Sequence, residues 1–326
     1  MPKVDISEAV FSFSKLKTFE TCPYSWYDIY VNKAERIQNA FSQYGTLAHS
    51  ILERYAVGKK TGESKLLTWE LVSLLNDEFK DAITESFPKN PYYDSDAMKQ
   101  RYYDSALTFF SEVDDCEIVA NIESERFEIL GVEYEFNFPI KVEDKTYGYR
   151  GFIDLVVRDR EDNGIIIIDH KSKSIKASAK GIPAEKDIRD AYLQMSSYAT
   201  AIFLEFGQYP KEIWINAFKI QKIFKKKFDL KMAEEAVTWA GEIIKKLEVE
   251  KEFPKKPDSF FCLQLCSCRN VCGKFIMFDK TGALYGNQPQ SMAEKIASDD
   301  ALFGDLTVCD YVKPFSWDDD DEEFEL

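Results

Sequence analysis

The 326-residue chain lacks the features of several common protein classes. No apolar run approaches the ~18–20 residues that cross a bilayer, and the first residues hold no apolar stretch of signal-peptide length. There is no internal repeat, no Gly/Ser linker and no Gly-x4-Gly-Lys-Ser/Thr loop, which argues against an ATP-driven motor. We therefore expect a cytoplasmic protein without a membrane anchor, whose cysteines are reduced.

Basic residues are outnumbered. The chain has 42 Lys and Arg against 57 Asp and Glu, a formal charge of −15. This balance argues against a protein that coats nucleic acid, and it suits a site that collects divalent cations. Lysines nevertheless cluster at 219–227 and 251–256, so a local basic channel is compatible with the sequence.

The order of the predicted elements indicates an α/β fold. Apolar periodicity predicts strands within 117–159 and at 164–169 and 211–221. Helical spacing predicts helices at the following positions: 12–31 with a break at Cys22-Pro23, 40–57, 65–87, 95–114, 183–206 and 229–250. We expect a mixed central β-sheet flanked by helices, with an N-terminal helical insertion and a C-terminal cysteine-cluster segment.

Shifts in composition divide the chain into four regions. We expect an N-terminal helical region at 1–116, a core at 117–250, a cysteine-rich segment at 251–317 that packs back on the N-terminus, and an acidic tail at 318–326. The tail carries seven acids and no base. It is interpreted as a solubility tail, a docking segment for a replication or recombination protein, or a competitor for the chain's own basic channel.

Two apolar strands each deliver an aspartate. Asp154 interrupts the run Gly151-Phe-Ile-Asp-Leu-Val-Val, and Asp169 ends the run 165–169, with Lys171 two residues later on the same face. A turn at 158–163 implies a hairpin that brings the three groups together. Two carboxylates hold a divalent metal, and an ammonium stabilises charge at phosphorus. The alternative is an exposed salt bridge between Lys171 and Asp169.

Histidine is scarce, and only two residues of this type occur. His49 lies on the predicted helix 40–57, one turn before Glu53, and by itself it is more often a structural residue than a ligand. His170 faces away from Asp169 and Lys171 and is left out of the site, although its carbonyl can reach a metal. Glu123 or Glu125, which precede the strands, are candidates to support the site.

Five motifs in order resemble the PD-(D/E)xK nuclease superfamily, in its RecB-like branch with an iron–sulfur cluster, which has CRISPR-adaptation, AddB-type exonuclease and phage-encoded relatives. The motifs are Ser12-x-Ser14-x-Leu16-x-x-Phe19-x-x-Cys22-Pro23, Gly45-Thr-x-x-His49, Gly151-Phe-Ile-Asp154, Ile168-Asp169-His-Lys171 and Gln194-x-x-x-Tyr198. The resemblance implies a restriction-endonuclease-like core.

The resemblance also implies a metal-dependent DNA nuclease, most often an exonuclease on single strands or DNA ends, in replication, recombination or repair. His49, Asp154 and Asp169 would hold Mg²⁺ or Mn²⁺, and Lys171 would orient the attacking water. Gln194 and Tyr198 would contact DNA or order the site. A DNA-end-binding module without catalysis and a structure-specific endonuclease remain the alternatives, and the sequence leaves the oligomeric state open.

Four of seven cysteines fall within residues 262–272, and such clusters bind zinc or iron–sulfur clusters. The resemblance implies a [4Fe-4S] cluster held by Cys22 and three later thiols. This chain departs from the expected Cys-x2-Cys-x5-Cys spacing. The ligands chosen are Cys22, Cys262, Cys266 and Cys272, with Cys268 as the alternative. Zinc held by the four local cysteines is the competing interpretation, and Cys116 and Cys309 are expected to be unpaired.

Overall fold

The computed structural model describes residues 4–62, 67–88, 93–178, 181–256 and 261–272. Within these residues the fold is built on a mixed six-stranded sheet with the strand order β1-β3-β4-β5-β6, and β2 pairs with β3 outside this path. The strands are β1 Val10–Phe11, β2 Phe127–Val142, β3 Lys145–Asp159, β4 Gly164–His170, β5 Glu212–Ala217 and β6 Lys222–Lys227. The pairs β1–β3 and β4–β5 are parallel, and the other pairs are antiparallel.

Helices cover both faces of this sheet. The described helices are α1 Phe13–Thr21, α2 Pro23–Tyr30, α3 Ala40–Thr61, α4 Thr68–Ala82, α5 Ser95–Ser111, α6 Glu117–Glu123, α7 Glu185–Phe206, α8 Leu230–Val249 and α9 Arg269–Cys272. The break between α1 and α2 follows the sequence, because Pro23 occupies the first turn of α2, where its missing N–H costs no helical hydrogen bond. None of the described helices is both long and apolar enough to cross a membrane.

Two hydrophobic cores lie on opposite faces of the sheet. Ile165 and Ile167 of β4 belong to the core formed with α1, α2, α7 and α8, while Ile166 and Ile168 belong to the core formed with α3 to α6. The continuous apolar run of β4 is therefore buried on both faces, as a central strand requires. The predicted fold class, a mixed sheet flanked by helices, is confirmed.

The segment 117–123 is helix α6, and the predicted strand there is wrong. Its buried residues Ile118, Val119 and Ile122 follow the i, i+1, i+4 spacing of a helix face. Two strands were not predicted, β1 and β6. Strand β6 is rich in lysine because it lies at the sheet edge, where charged side chains are common.

The remaining boundaries shift by a few residues. The strand predicted at 211–221 ends at Ala217 and is followed by a 3₁₀ turn at Phe218–Ile220. The segment 261–272 contacts the N-terminal region, where Ile37 N donates to Ser267 O at 3.0 Å and Asn39 Nδ2 donates to Leu265 O at 3.1 Å. The acidic tail at 318–326, Cys309 and most of the cysteine-rich segment lie outside the described residues.

Candidate active site

The site lies at a fork between two central strands. Strands β3 and β4 form an antiparallel hairpin whose last pair before the fork is Leu155 with Ile168. The next residues beyond this pair are Asp154 on β3 and Asp169 on β4, which the sequence predicted to lie close together. Beyond the fork, the backbone N–H of His170 donates to Asp154 Oδ2 at 2.7 Å, so the carboxylate replaces the next bond of the ladder.

Helix α3 brings His49 to the fork. Its Nδ1 lies 3.4 Å from Asp154 Oδ2, and the His49 and Asp154 side chains are 29% and 15% exposed, so this part of the site opens to solvent. One helical turn earlier, a Cβ on Gly45 would lie 2.9 Å from Ser172 Oγ, directly after Lys171. The glycine of this motif therefore lets α3 approach the segment that carries the lysine.

A chain of polar contacts leads from Asp169 into helix α7. Lys171 Nζ donates to Asp169 Oδ1 at 3.0 Å and to Gln194 Oε1 at 3.2 Å. Gln194 Nε2 in turn donates to the Tyr198 hydroxyl at 3.1 Å. A Cβ on Gly151 would lie 3.1 Å from the Tyr198 ring, so the glycine of the Asp154 motif makes room for this tyrosine.

Tyr198 is 4% exposed, which corrects one expectation. Two roles were considered for Tyr198, contact with DNA and ordering of the site. A buried phenol cannot contact DNA, so the structure is compatible with the second role, through Gln194. Burial raises the pKa of Tyr198, and the hydroxyl therefore stays protonated. Gln194 is half-buried and directly contacts Lys171, which makes it a positioning residue for the ammonium.

Lys171 keeps its positive charge. Burial favours the neutral amine, but the Asp169 carboxylate outweighs burial and raises the pKa of Lys171 above its ordinary value. The side chain therefore serves as a hydrogen-bond donor and a fixed positive charge, and it is not a general base. Asp169 itself is 3% exposed, and its Oδ2 accepts no hydrogen bond from the described residues, although Lys171 Nζ lies 2.9 Å away.

The sequence did not single out Glu133, which the structure places in the site. Its flanking residues Val132 and Tyr134 pair with Leu155 and Ile153, which puts Glu133 opposite Asp154. Ligand atoms of His49, Glu133 and Asp154 all lie within 4.8 Å of one another. Burial, reinforced by the charge of Asp154, raises the pKa of Glu133.

The backbone of Glu133 is unusual for a strand interior. Its φ is +43°, in the left-handed region that residues other than glycine rarely adopt. The strand changes its packing face at this point, since Val132 contacts the core under α3 and Tyr134 the core under α7. The only signal in the sequence was Gly131, because a glycine within a strand often marks a bulge. Glu123 instead contacts Tyr55 and Lys59.

The donor set fits a divalent cation. Imidazole nitrogen and carboxylate oxygens are ligands that Mn²⁺ and Mg²⁺ accept. Asp169 is buried, and its Oδ2 lies 2.9 Å from the Lys171 ammonium, so its counter-charge comes from that lysine. Of the three predicted metal ligands, the structure groups His49 and Asp154 with Glu133, whereas Asp169 pairs with Lys171 and lies outside that group.

The thiols of the two chain ends also meet. Cys268 Sγ lies 3.5 Å from Ser25 Oγ in α2, and Cys268 N donates to Cys266 Sγ at 3.4 Å. Cys22 caps the same helix, and the thiols of Cys22, Cys268 and Cys272 lie close enough to Tyr24 to influence its pKa, which burial chiefly raises. Cys116 packs apart from them, against the α3 to α6 core.

The described thiols do not form a compact group of three. Among the described residues, no three thiols fall within 4.8 Å of one another. The described cysteines form no disulfide.

Comparison with known proteins completes the description. No curated protein matches this sequence. A candidate exonuclease from Eubacterium rectale aligns in structure over 88% of this chain and 92% of its own, at 11% identity and a TM-score of 0.43. The protein SSO0001 aligns over 62% of this chain and 94% of its own, at 16% identity and a TM-score of 0.31. Both scores are below 0.5, so neither similarity bears on function.

The family comparison is more informative. A sequence model of the PD-(D/E)XK nuclease superfamily matches residues 10–273. This range contains the fork between β3 and β4, the helix that supplies His49, and Gln194. The chain belongs to the PD-(D/E)XK nuclease superfamily.

Proposed function

We propose that this nuclease is a metal-dependent exonuclease of the RecB-like branch that acts on single-stranded DNA or DNA ends. The observation that carries the proposal is the fork itself. There the Lys171–Asp169 ion pair adjoins a solvent-open group of three metal-type ligands, His49, Glu133 and Asp154. A binding module that had lost catalysis would have no need to keep both halves of this arrangement.

The protein's part in the reaction is positioning and charge stabilisation. Lys171 presents a permanent ammonium that donates a hydrogen bond to the attacking water or to a phosphate oxygen. Gln194 fixes the direction of this ammonium, and Tyr198 fixes Gln194. Asp154 is held through Oδ2 by the backbone N–H of His170, which fixes the direction of its carboxylate.

A divalent cation held by His49, Glu133 and Asp154, with Asp169 beside them, would supply Lewis-acid stabilisation of the charge that develops on the phosphate. The half-buried setting of these side chains strengthens that stabilisation, because electrostatic interactions grow as water is excluded. We assign Mn²⁺ or Mg²⁺ to this site from the oxygen and imidazole donors.

Cleavage assays test this assignment. Purified protein is incubated with Mn²⁺ and with end-labelled linear or circular single-stranded DNA, beside the variants Asp169→Asn and Lys171→Met. We expect shortening of linear DNA from its ends, no cleavage of circles, and a loss of about 10²–10³-fold in rate for each variant. Asp162→Asn, an exposed acid in the β3–β4 turn, is the control and keeps its activity.

Each alternative gives a different result. Binding of DNA ends without any cleavage would indicate the binding module. Cleavage of circular DNA would indicate an endonuclease. Activity that persists in both site variants would refute the assigned residues.

We also propose that the thiols around the start of α2 hold a [4Fe-4S] cluster, through Cys22, Cys262, Cys266 and Cys272, with Cys268 as the alternative to one of them. The thiol donors of the two chain ends meet around the start of α2, which supports a shared cluster. We expect visible iron–sulfur absorption that Cys22→Ser abolishes and Cys116→Ser preserves. A colourless, zinc-containing preparation would refute the cluster.

A further inference from the structure

One face of the long β2–β3 hairpin is left open beside the fork. The other face packs on the core under α7 and α8 through Tyr149 and Ile153. Residues that alternate with these point away from that core. Phe152 is 49% exposed, and Arg150 is exposed as well. The ring of Phe152, two residues before Asp154, is therefore available to a ligand.

Four cations lie beside this open face, around the edge strand β1. Lys15 Nζ lies 5.1 Å from the centroid of the Tyr30 ring, and the Arg36 guanidinium lies 4.9 Å from the same ring. Lys15 also donates to Val10 O at 3.2 Å, and Val10 pairs with β3 two residues before Arg150. The aromatic ring and strand β1 therefore hold two of the cations beside the hairpin.

The charges on this face repel one another. Burial, together with the nearby charges of Lys33 and Arg150, lowers the pKa of Lys15. Lys15, Lys33, Arg36 and Arg150 form no ion pair with any carboxylate that the structure describes. In a chain of net charge −15, a cluster of cations without carboxylate partners is suited to bind an anionic ligand.

The spacing fits a polynucleotide that runs toward the fork. Residues of a strand rise about 3.3 Å each, so Phe152 lies about 7 Å and Arg150 about 13 Å along β3 from Asp154. An aromatic ring offers a stacking surface to a base, and cations beside it track the phosphates. A base within a duplex is already stacked on both sides, so an aromatic platform selects a single strand.

We propose that Phe152 stacks on a base of single-stranded DNA next to the scissile phosphate, and that Lys15, Lys33, Arg36 and Arg150 bind the adjoining phosphates. This inference rests on the proposed nuclease function and adds the strand preference, which the hairpin face sets. Phe152 determines specificity, and the four cations are binding residues.

Binding measured without catalysis tests the inference. The full chain and its variants are titrated in EDTA with a fluorescent single-stranded oligonucleotide or a blunt hairpin duplex, and anisotropy is recorded at several salt concentrations. We expect Phe152→Ala to weaken single-strand binding roughly tenfold or more with an unchanged salt slope. Arg150→Gln is expected to reduce the slope by about 0.7. Binding of the duplex changes little in Phe152→Ala.

Matched variants separate stacking from other effects. Phe152→Tyr restores single-strand binding, whereas Phe152→Leu, which is apolar but cannot stack well, does not. Trp69→Ala removes a more exposed aromatic on α4 and leaves binding unchanged. Glu135→Gln removes the acid that pairs with Phe152 on β2, and it does not weaken binding.

Two results would overturn the inference. One is single-strand affinity within twofold of wild type in Phe152→Ala. The other is an equal loss for single strand and duplex. EDTA removes divalent metal from the binding assay, so the binding result does not depend on whether the protein cleaves DNA. The binding proposal and the nuclease proposal can therefore be refuted independently.

Discussion

Replacing Glu133 by glycine separates the function of this residue from its cost to stability. Its φ of +43° lies in the left-handed region, which costs a residue with a Cβ about 1–2 kcal/mol. Glycine removes that cost but makes the unfolded chain more flexible, by about 0.5–1 kcal/mol relative to alanine. We therefore expect Glu133→Gly to raise the free energy of unfolding by about 0.5–1 kcal/mol.

The same substitution removes a half-buried carboxylate that faces Asp154. Burial and the Asp154 charge raise the pKa of Glu133, so ionising this carboxyl costs more in the folded protein than in the unfolded chain. This repulsion adds to the expected gain in stability. The strained backbone and the repulsion from Asp154 both disfavour a glutamate at position 133. We infer that the glutamate is kept there because it serves a function.

Metal binding is expected to change in the opposite direction. Glu133→Gly removes one of three grouped ligands, so Mn²⁺ binding, measured by calorimetry, weakens while the midpoint of urea unfolding rises. Glu135→Gly is the control two residues along β2, where the acid is exposed and φ is not positive. It is expected to lower stability and leave Mn²⁺ binding unchanged. A destabilised Glu133→Gly with wild-type Mn²⁺ affinity would refute the reasoning.

Three further substitutions probe the β3–β4 hairpin and the contacts around the site. Asp159 is 2% exposed and paired with Arg126 and Lys211, which hold its pKa far below the usual range; Asp159→Asn is expected to cost about 1–3 kcal/mol in urea unfolding at pH 7. That stability is present above the unfolded pKa, so the difference between wild type and variant shrinks as the pH falls below about 4, and a pH-independent difference would contradict it. Gly151→Ala places a methyl group 2.6 Å from the Phe136 ring and is expected to cost about 1–3 kcal/mol, with a fall in nuclease rate; wild-type values for both would count against the packing argument. Tyr198→Phe leaves the Gln194 amide without its acceptor, so kcat falls while KM for DNA stays constant, and a rise in KM instead would indicate a DNA contact.

The parts of the site that could be predicted share one property, which is that a local pattern reveals them. Asp154, Asp169 and Lys171 stand out because charged residues interrupt or end strongly apolar strands, and a short turn forces those strands to pair. His49 stands out through its motif. Gly45 and Gly151 belong to motifs as well, and the structure shows that each permits a close approach that brings the motif to the fork.

What could not be predicted depends on contacts that are distant in sequence. Glu133 sits in an alternating strand, where a charged residue normally faces solvent, and its left-handed backbone results from packing on two different cores. Helix α6 is only seven residues long, so alternation and helical spacing both fit its apolar residues. Tyr198 has the spacing of an exposed helix face relative to Gln194, and only the close approach of β3 at Gly151 buries it.

The basic runs in the sequence are incomplete guides to where DNA binds, because a cation that is paired with a carboxylate offers little to a phosphate. Lys225 of the first run, for example, pairs with Glu117. The unpaired cations of the hairpin face come instead from residues 15, 33, 36 and 150, which are dispersed in the sequence and meet only in the fold. An acidic nuclease can therefore attract a polyanion at one face, and it is the pairing of charges, more than their number, that decides which face this is.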